Sequence, residues 1–305
     1  MLLLSISGMK KRILLALVIL FFGKNLFAQK QTVIHTGDID NFWIAYDSIV
    51  KTSDLSKKIS IINSQYIDKG SNGLKAFMEL RNYNDTLWVK LIDSYPKFWN
   101  SIRQNTLSVA SKKGEFQDAI KRLKELYPDL KKAEMYFTVG GLRSGGTVKD
   151  NMVLVGAEIA TGNENTDVSE FKSSWLKNVF KEQSIDNIVF VNVHEYIHTQ
   201  QQSDGANVLG HSIKEGACDF IAELVLDKPL KTKYLAYGAA NAAQVEADFK
   251  KEMFSKNFDN WLYNGSQKVE AADLGYYVGY EICKAYYKNA SDKKAAVKEI
   301  IELKF

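Results

Sequence analysis

The sequence VNVHEYIHTQ at residues 191–200 constrains this chain most, because it places two of only four histidines four positions apart. On a helix, residues four apart lie on one face, so His194 and His198 would present two imidazoles to one ion. The neighbouring residues predict a helix that is buried on most sides and carries one polar stripe. These apolar neighbours are Ile188, Val189, Val191, Val193 and Ile197.

Glu195 directly follows the first histidine of this pair. The offset would let its carboxylate reach a metal-bound water without ligating the metal, as the general base of a zinc hydrolase does. The pattern therefore predicts a Zn²⁺ site with His194 and His198 as ligands and Glu195 as a catalytic residue. A chance match on an ordinary buried helix is the alternative.

A catalytic zinc ion needs a third protein ligand and an open position. The longer pattern with a third histidine is excluded, because Gln201 and Asp204 stand where that pattern needs glycine and histidine. We expect Glu215 to be the third ligand, because KEGACDFIAEL places it one helical turn before Asp219. Asp219 would then accept the free N–H of a ligand histidine and fix its tautomer.

Other interpretations of the same segment stay open. Ser212 and Glu215 form a capping-box pattern, in which the glutamate would only cap its own helix. Gly216 and Ala217 favour ligation instead, because small side chains would let this helix approach the histidine helix closely. His211 is the reserve ligand, and a histidine on a surface loop is its alternative interpretation.

These motifs resemble those of zincin-like metallopeptidases of the gluzincin type. HEYIH followed by EGACDF is similar to their two signatures, as found in bacterial families of predicted zinc-dependent proteases. Residues 70–74 resemble the upstream GS-GL segment of these families. YFTVGGLRSGGTV resembles their strand and glycine loop, and DLGYYVGYEI resembles their late helix. The resemblance implies that His194, His198 and Glu215 ligate zinc, that Glu195 is the base, and that the substrate is a peptide or protein.

The segment AADLGYYVGYEICKAYYK also offers hydroxyl groups for the developing oxyanion of such a reaction. Tyr276 and Tyr280 are the candidates, with Arg143 as a third. Close helix packing around Gly275 and Gly279 is the alternative explanation for this aromatic segment.

Most of the chain has helical periodicity, whereas AEMYFTV and NMVLVGAEIA are rich in β-branched and aromatic residues. We expect these two runs to be strands joined by the loop GGLRSGG, with the second strand at a cleft edge where it could bind an extended peptide. A sheet edge covered by a loop is the alternative. The loop lacks the G-K-[ST] ending of a phosphate-binding loop, so no nucleotide is expected. The predicted fold is α+β, mainly helical and zincin-like, with a small β-sheet and an HExxH active-site helix.

Residues 1–28 have the pattern of a signal peptide, with three basic residues from Lys10, an apolar run over 13–22 and Ala28 at the expected cleavage point. The run is shorter than the ~20 residues that span a bilayer, so membrane attachment is expected only through an uncleaved leader. The leader's four basic residues equal the net charge of +4, which leaves the mature chain neutral and gives no support to nucleic-acid binding. We expect a periplasmic or secreted protein.

The remainder is divided into a helical region at 29–130 and a zincin-like region at 131–305, which together form one integrated domain. Cys218 and Cys283 either pair or are buried thiols, and neither is placed to carry a lipid near the signal end. The function expected is an exported zinc metallopeptidase, in which Glu195 activates a water that attacks a metal-polarised peptide carbonyl. The alternative is a non-catalytic envelope protein that retains a zincin fold and serves in binding or assembly.

Overall fold

Helices form most of the described chain, which comprises residues 32–182, 185–265 and 272–303 of the computed structural model. The predicted signal peptide lies outside the described residues. The first helices are α1 (Gly37–Ile49), α2 (Leu55–Ile62), α3 (Asn72–Arg81), α4 (Asp85–Ser94), α5 (Pro96–Ser108) and α6 (Lys113–Leu126). A π-helical turn, Asn63–Ile67, continues α2, and a 3-10 turn, Val109–Lys112, joins α5 to α6.

Local sequence accounts for where several of these helices begin and end. The side chains of Asp54, Ser71 and Asn84 accept backbone N–H bonds at the starts of α2, α3 and α4. Pro96 is the first residue of α5, where its missing N–H costs nothing. Asn82, in the left-handed conformation, ends α3.

A four-stranded sheet is formed by one strand before the first helix and three strands between the two sets of helices in the sequence. Its strands are β1 (Ile34–His35), β2 (Glu134–Thr138), β3 (Gly146–Lys149) and β4 (Met152–Gly156), in the spatial order β1-β2-β4-β3. β1, β2 and β4 are parallel, with Met135 opposite Val153, and β3 is antiparallel to β4. The predicted α+β class, mainly helical with a small sheet, is confirmed.

The strand prediction was incomplete and misplaced the sheet edge. The run NMVLVGAEIA supplies the inner strand β4 and then turns into α7 (Ala157–Ala160), whereas the edge strand is β3. β3 comes from the glycine-rich segment, whose low β-propensity hides a four-residue strand from pattern analysis. β1 is only two residues long, too short to show alternation.

The C-terminal half is again helical. A 3-10 turn, Ile185–Asn187, leads into the histidine helix. The helices are α8 (Ser174–Glu182), α9 (Ile188–His198), α10 (Val208–Leu226), α11 (Lys233–Ala240), α12 (Ala242–Glu252), α13 (Leu274–Asn289) and α14 (Lys293–Glu302). Among the described residues, no helix combines the length and apolar character needed to cross a bilayer.

Helices α10 and α13 pack with their backbones nearly in contact. A Cβ atom at Gly216 would lie 2.0 Å from the Tyr280 backbone nitrogen, and one at Gly279 would lie 1.7 Å from the Ser212 carbonyl oxygen. Gly216 therefore faces α13, not the histidine helix as expected from the sequence. The packing interpretation of Gly275 and Gly279 agrees with this contact, because glycine alone leaves room for it. The helix pair fixes the position of α10.

Candidate metal centre

The candidate site lies where α9 packs against α10. On α9, the side chains of Val193 and Ile197 are fully buried, and the neighbouring stripe with His194 and His198 faces α10. Helix α10 begins at Val208, where the Asn207 side chain accepts the Gly210 N–H at 3.0 Å. Glu215 therefore lies two turns inside the helix, which rules out the capping-box interpretation.

Three donor atoms converge between these helices. His194 Nε2 lies 3.1 Å from His198 Nε2, and Glu215 Oε2 lies 3.3 Å from the first nitrogen and 3.2 Å from the second. Ligand atoms ~2.0–2.1 Å from a tetrahedral zinc ion are about 3.3–3.4 Å from one another. The three side chains therefore have the spacing that one such ion requires, although they belong to two helices and Glu215 follows His198 by 17 residues.

The charges at this centre suit a cation. Burial alone would raise the pKa of Glu215, but the neighbouring His198 and His194 side chains hold it well below its ordinary value. Burial would likewise lower the pKa of His194, but hydrogen bonds to Asp219 and Glu215 raise it well above the ordinary value. A buried cluster of two imidazoles and two carboxylates therefore attracts positive charge to the point where the nitrogens meet.

Each candidate ligand is also held by its other polar atom. His194 Nδ1 lies 2.7 Å from Asp219 Oδ1, and Asp219 Oδ2 accepts the Tyr234 hydroxyl at 2.7 Å. When the Nδ1–H group donates a hydrogen bond to Asp219, Nε2 carries no hydrogen and its lone pair faces His198 and Glu215. This carboxylate–imidazole contact is the arrangement expected from the sequence for Asp219.

Two supporting contacts were not predicted. His198 Nδ1 lies 2.7 Å from Gln201 Oε1, and the Gln201 amide donates to the Lys214 carbonyl oxygen at 2.7 Å. Tyr263 donates its hydroxyl to Glu215 Oε1 at 2.9 Å. Gln201 could have been found from its position three residues after His198. Tyr263 follows Glu215 by 48 residues, and no local pattern connects them.

Cys218 is a competing donor beside the same histidines. Donor atoms of His194, His198 and Cys218 lie within 4.8 Å of one another, and the Cys218 sulfur is 3.4 Å from His198 Nδ1. That nitrogen already faces Gln201, whereas Glu215 faces the Nε2 atoms of both histidines. Burial and the carboxylates of Glu215 and Asp219 raise the pKa of the Cys218 thiol well above its ordinary value. Glu215 is therefore the better third ligand.

Glu195 borders the edge strand β3 of the sheet. A Cβ atom at Gly146 of β3 would be 3.0 Å from Glu195 Oε1. The absence of a side chain at this strand position leaves space for the carboxylate. Glu195 thus connects the histidine helix to the edge strand.

The two candidate tyrosines occupy different places. The Tyr276 ring lies nearly parallel to the His194 ring, with 6.3 Å between their centroids. Tyr280, one turn later, donates its hydroxyl to Glu223 Oε1 at 2.8 Å. The structure therefore brings Tyr276, but not the hydroxyl of Tyr280, to the candidate centre.

The three donor atoms are joined neither by Arg143, the third oxyanion candidate, nor by His211, the reserve ligand. Arg143 donates to the backbone oxygens of Arg81 and Asn82, at 2.7 and 3.2 Å. The His211 ring packs against Phe258, with 4.5 Å between centroids. The cysteines, whose pairing the sequence left open, are both buried and free.

Comparison with known proteins gives one match. The family model described as Gliding motility protein GldB matches residues 28–304, and its label marks a lipoprotein family. No curated protein matches the chain. No solved structure matches it.

The family match corrects the functional expectations. The resemblance to zincin metallopeptidases, the assignment as a hydrolase and the predicted peptide-bond cleavage were wrong, because the family whose model covers residues 28–304 is one of gliding motility. The ligand spacing that suggested a protease carries no information about turnover. A lipoprotein family agrees with the predicted export to the envelope. From residue 28 to residue 304, the chain belongs to the gliding motility protein GldB family.

Proposed function

We propose that this chain is a non-catalytic envelope protein of the gliding apparatus, in which His194, His198 and Glu215 hold one Zn²⁺ ion. The observation that carries the proposal is the convergence of their three donor atoms within 3.1–3.3 Å inside a gliding-motility family. Two imidazoles and one carboxylate are a donor set that zinc accepts readily. A zincin-like arrangement of metal-binding helices without turnover is part of this proposal.

The ion would act as a cross-link between α9 and α10. It would neutralise the Glu215 carboxylate and relieve the cost of burying three ionisable groups together. Because ligands arranged in this way exist only in the folded chain, the free energy of metal binding becomes free energy of folding. The proposed ion therefore stabilises the helix pair that positions Tyr276 and the edge strand β3.

The proposed partner is another protein of the cell envelope. Binding or assembly, without chemistry, is the role that the family's name supports best. The neutral mature chain offers no charge excess for nucleic acid, and the loop Gly140–Gly146 has no phosphate-binding ending. Catalysis is not part of this role, so the carboxylate of Glu195 serves by its contact with β3.

Complementation of a gliding-deficient strain tests this proposal. Chains carrying His194→Ala, Glu215→Ala or Glu195→Gln are expressed in cells that lack the native copy, and gliding speed is recorded with the zinc content of each purified protein. We expect the two alanine variants to lose zinc and gliding, and Glu195→Gln to keep both. A Glu195→Gln chain that binds zinc and folds but does not support gliding would overturn the non-catalytic role.

A further inference from the structure

A second buried carboxylate lies away from the metal centre. Glu158, on α7, is completely shielded from solvent. Its Oε2 atom accepts the backbone N–H of Gly140 at 2.7 Å, and its Oε1 atom accepts that of Leu142 at 3.1 Å. The proposed function uses no group of this cluster. Burying an ionised carboxylate away from water costs free energy, so the position of Glu158 calls for a physical reason.

The loop bound by Glu158 is strained and held from several sides. Leu142 has φ of +55°, a left-handed conformation that is unfavourable for a branched side chain, although the residue is almost completely buried. The Trp88 indole donates to the Gly140 carbonyl oxygen at 2.8 Å, and the Tyr66 hydroxyl donates to that of Val139 at 2.6 Å. The two bonds to Glu158 therefore help to keep an unfavourable conformation in place.

This loop leads directly into the edge strand. Residues Gly140–Gly146 end where β3 begins, and Gly146 is the residue that Glu195 borders. A loosened loop would release the start of β3 from both α7 and the histidine helix. The state of Glu158 is thus connected by backbone to the one strand that forms this edge of the described sheet.

We propose that the Gly140–Gly146 loop is a pH-responsive element, closed most firmly while Glu158 is protonated and opened more easily once Glu158 is ionised. Opening transfers the carboxyl group from a dry interior to water. Water stabilises the ionised form far more than the neutral form, so ionisation favours the open loop.

The surroundings of Glu158 support titration near neutral pH. Burial raises its pKa to about 7, although the N–H bonds from Gly140 and Leu142 lower it in part. The ionisable groups that face it are Tyr66 and Tyr83, and burial raises the pKa of each phenol, so both stay neutral. Arg81 and Arg143 act on Tyr83, where their positive charges lower the pKa of the phenol in part.

Amide hydrogen exchange at Gly140 and Leu142 tests the proposal. Exchange rates at pH 5 to 8.5 are divided by the intrinsic rates to give the equilibrium constant for loop opening. With a closed-state pKa of about 7 and an open-state value of 4.5, this constant should rise about 70-fold from pH 5 to pH 8 and then level off. An opening constant that does not change with pH would overturn the proposal.

Two variants and one direct titration separate the effect of Glu158 on this loop from general effects of pH. Glu158→Gln is neutral at every pH, so its opening constant should be flat. Glu79→Gln removes an exposed carboxylate paired with Lys149 of β3 and should keep the parent profile. If Glu158→Gln fails to fold, the ¹³C carboxyl resonance of Glu158 in the parent decides: a midpoint near 7 supports the switch, and one near 4.5 refutes it.

Discussion

The Asp219 carboxylate lies 2.7 Å from Nδ1 of His194 and thereby fixes which nitrogen of that imidazole faces the other donors. Because Asp219 is almost completely buried and also accepts the Tyr234 hydroxyl, its orientation is itself determined by the fold. Carboxylates placed in this way orient metal-binding histidines in many proteins. The contact supports the assignment of His194 as a ligand and gives the first prediction.

Loss of the Asp219 carboxylate should weaken zinc binding without removing a ligand. Asp219→Ala should lower the affinity by about 10–100-fold, because His194 loses its fixed tautomer and orientation. Asp219→Asn retains an acceptor for Nδ1–H and should lose less. Chelator competition gives the affinities, and an alanine variant that binds as tightly as the parent would disprove the role of Asp219.

The Tyr263 hydroxyl should orient the third ligand. Tyr263→Phe removes the 2.9 Å bond to Glu215 Oε1 and keeps the ring, so zinc affinity should fall about tenfold. Tyr280→Phe is the matched control, because its hydroxyl binds Glu223 outside the donor triangle, and its zinc affinity should equal that of the parent. Equal losses in the two variants would contradict a specific role for Tyr263.

Close packing of α10 on α13 should tolerate no added methyl group. Gly279→Ala places a Cβ atom within 1.7 Å of the Ser212 carbonyl oxygen, so we expect a loss of more than about 3 kcal/mol in the free energy of unfolding. Gly114→Ala, in α6, meets no atom within 4 Å and should be neutral or gain up to about 1 kcal/mol. Urea denaturation measures both, and a Gly279→Ala protein as stable as the parent would contradict the described packing.

Acid should destabilise the protein partly through Glu134 of β2. Hydrogen bonds from His35 and Tyr136 lower its pKa from 4.5 to about 2, so the ionised carboxylate contributes stability above pH 4.5 that is lost as pH falls toward 2. Because the side chain is partly exposed, we expect a contribution of about 1–2 kcal/mol. Unfolding free energies at pH 5 and pH 3 should differ less in Glu134→Gln than in the parent.

A matched variant isolates this effect from general acid denaturation. Glu115→Gln removes an exposed carboxylate that pairs with its neighbour Lys112. We expect this variant to show the same difference between pH 5 and pH 3 as the parent. A Glu134→Gln profile indistinguishable from that of Glu115→Gln would show that the His35–Glu134 contact adds no stability.

Sequence periodicity was sufficient to predict the two helices of the site, because four-residue spacing defines a helical face whatever surrounds it. In the structure, the side chains of His194 and His198 on α9 lie against those of Glu215 and Asp219 on α10. The sheet order and the roles of Tyr234 and Tyr263 depend on contacts between distant segments, which leave no periodic signal. The motif also led to a wrong function, because ligand geometry is the same in a protein that turns over substrate and in one that does not.

Elemental mass spectrometry of the purified parent chain beside Glu215→Ala measures whether His194, His198 and Glu215 hold one zinc ion. We expect about one zinc ion per parent chain and a loss of that ion in the variant. A chelator should lower the thermal unfolding temperature of the parent and leave that of the variant unchanged. A parent chain that binds no zinc under any loading condition would show that these three side chains do not form a zinc site.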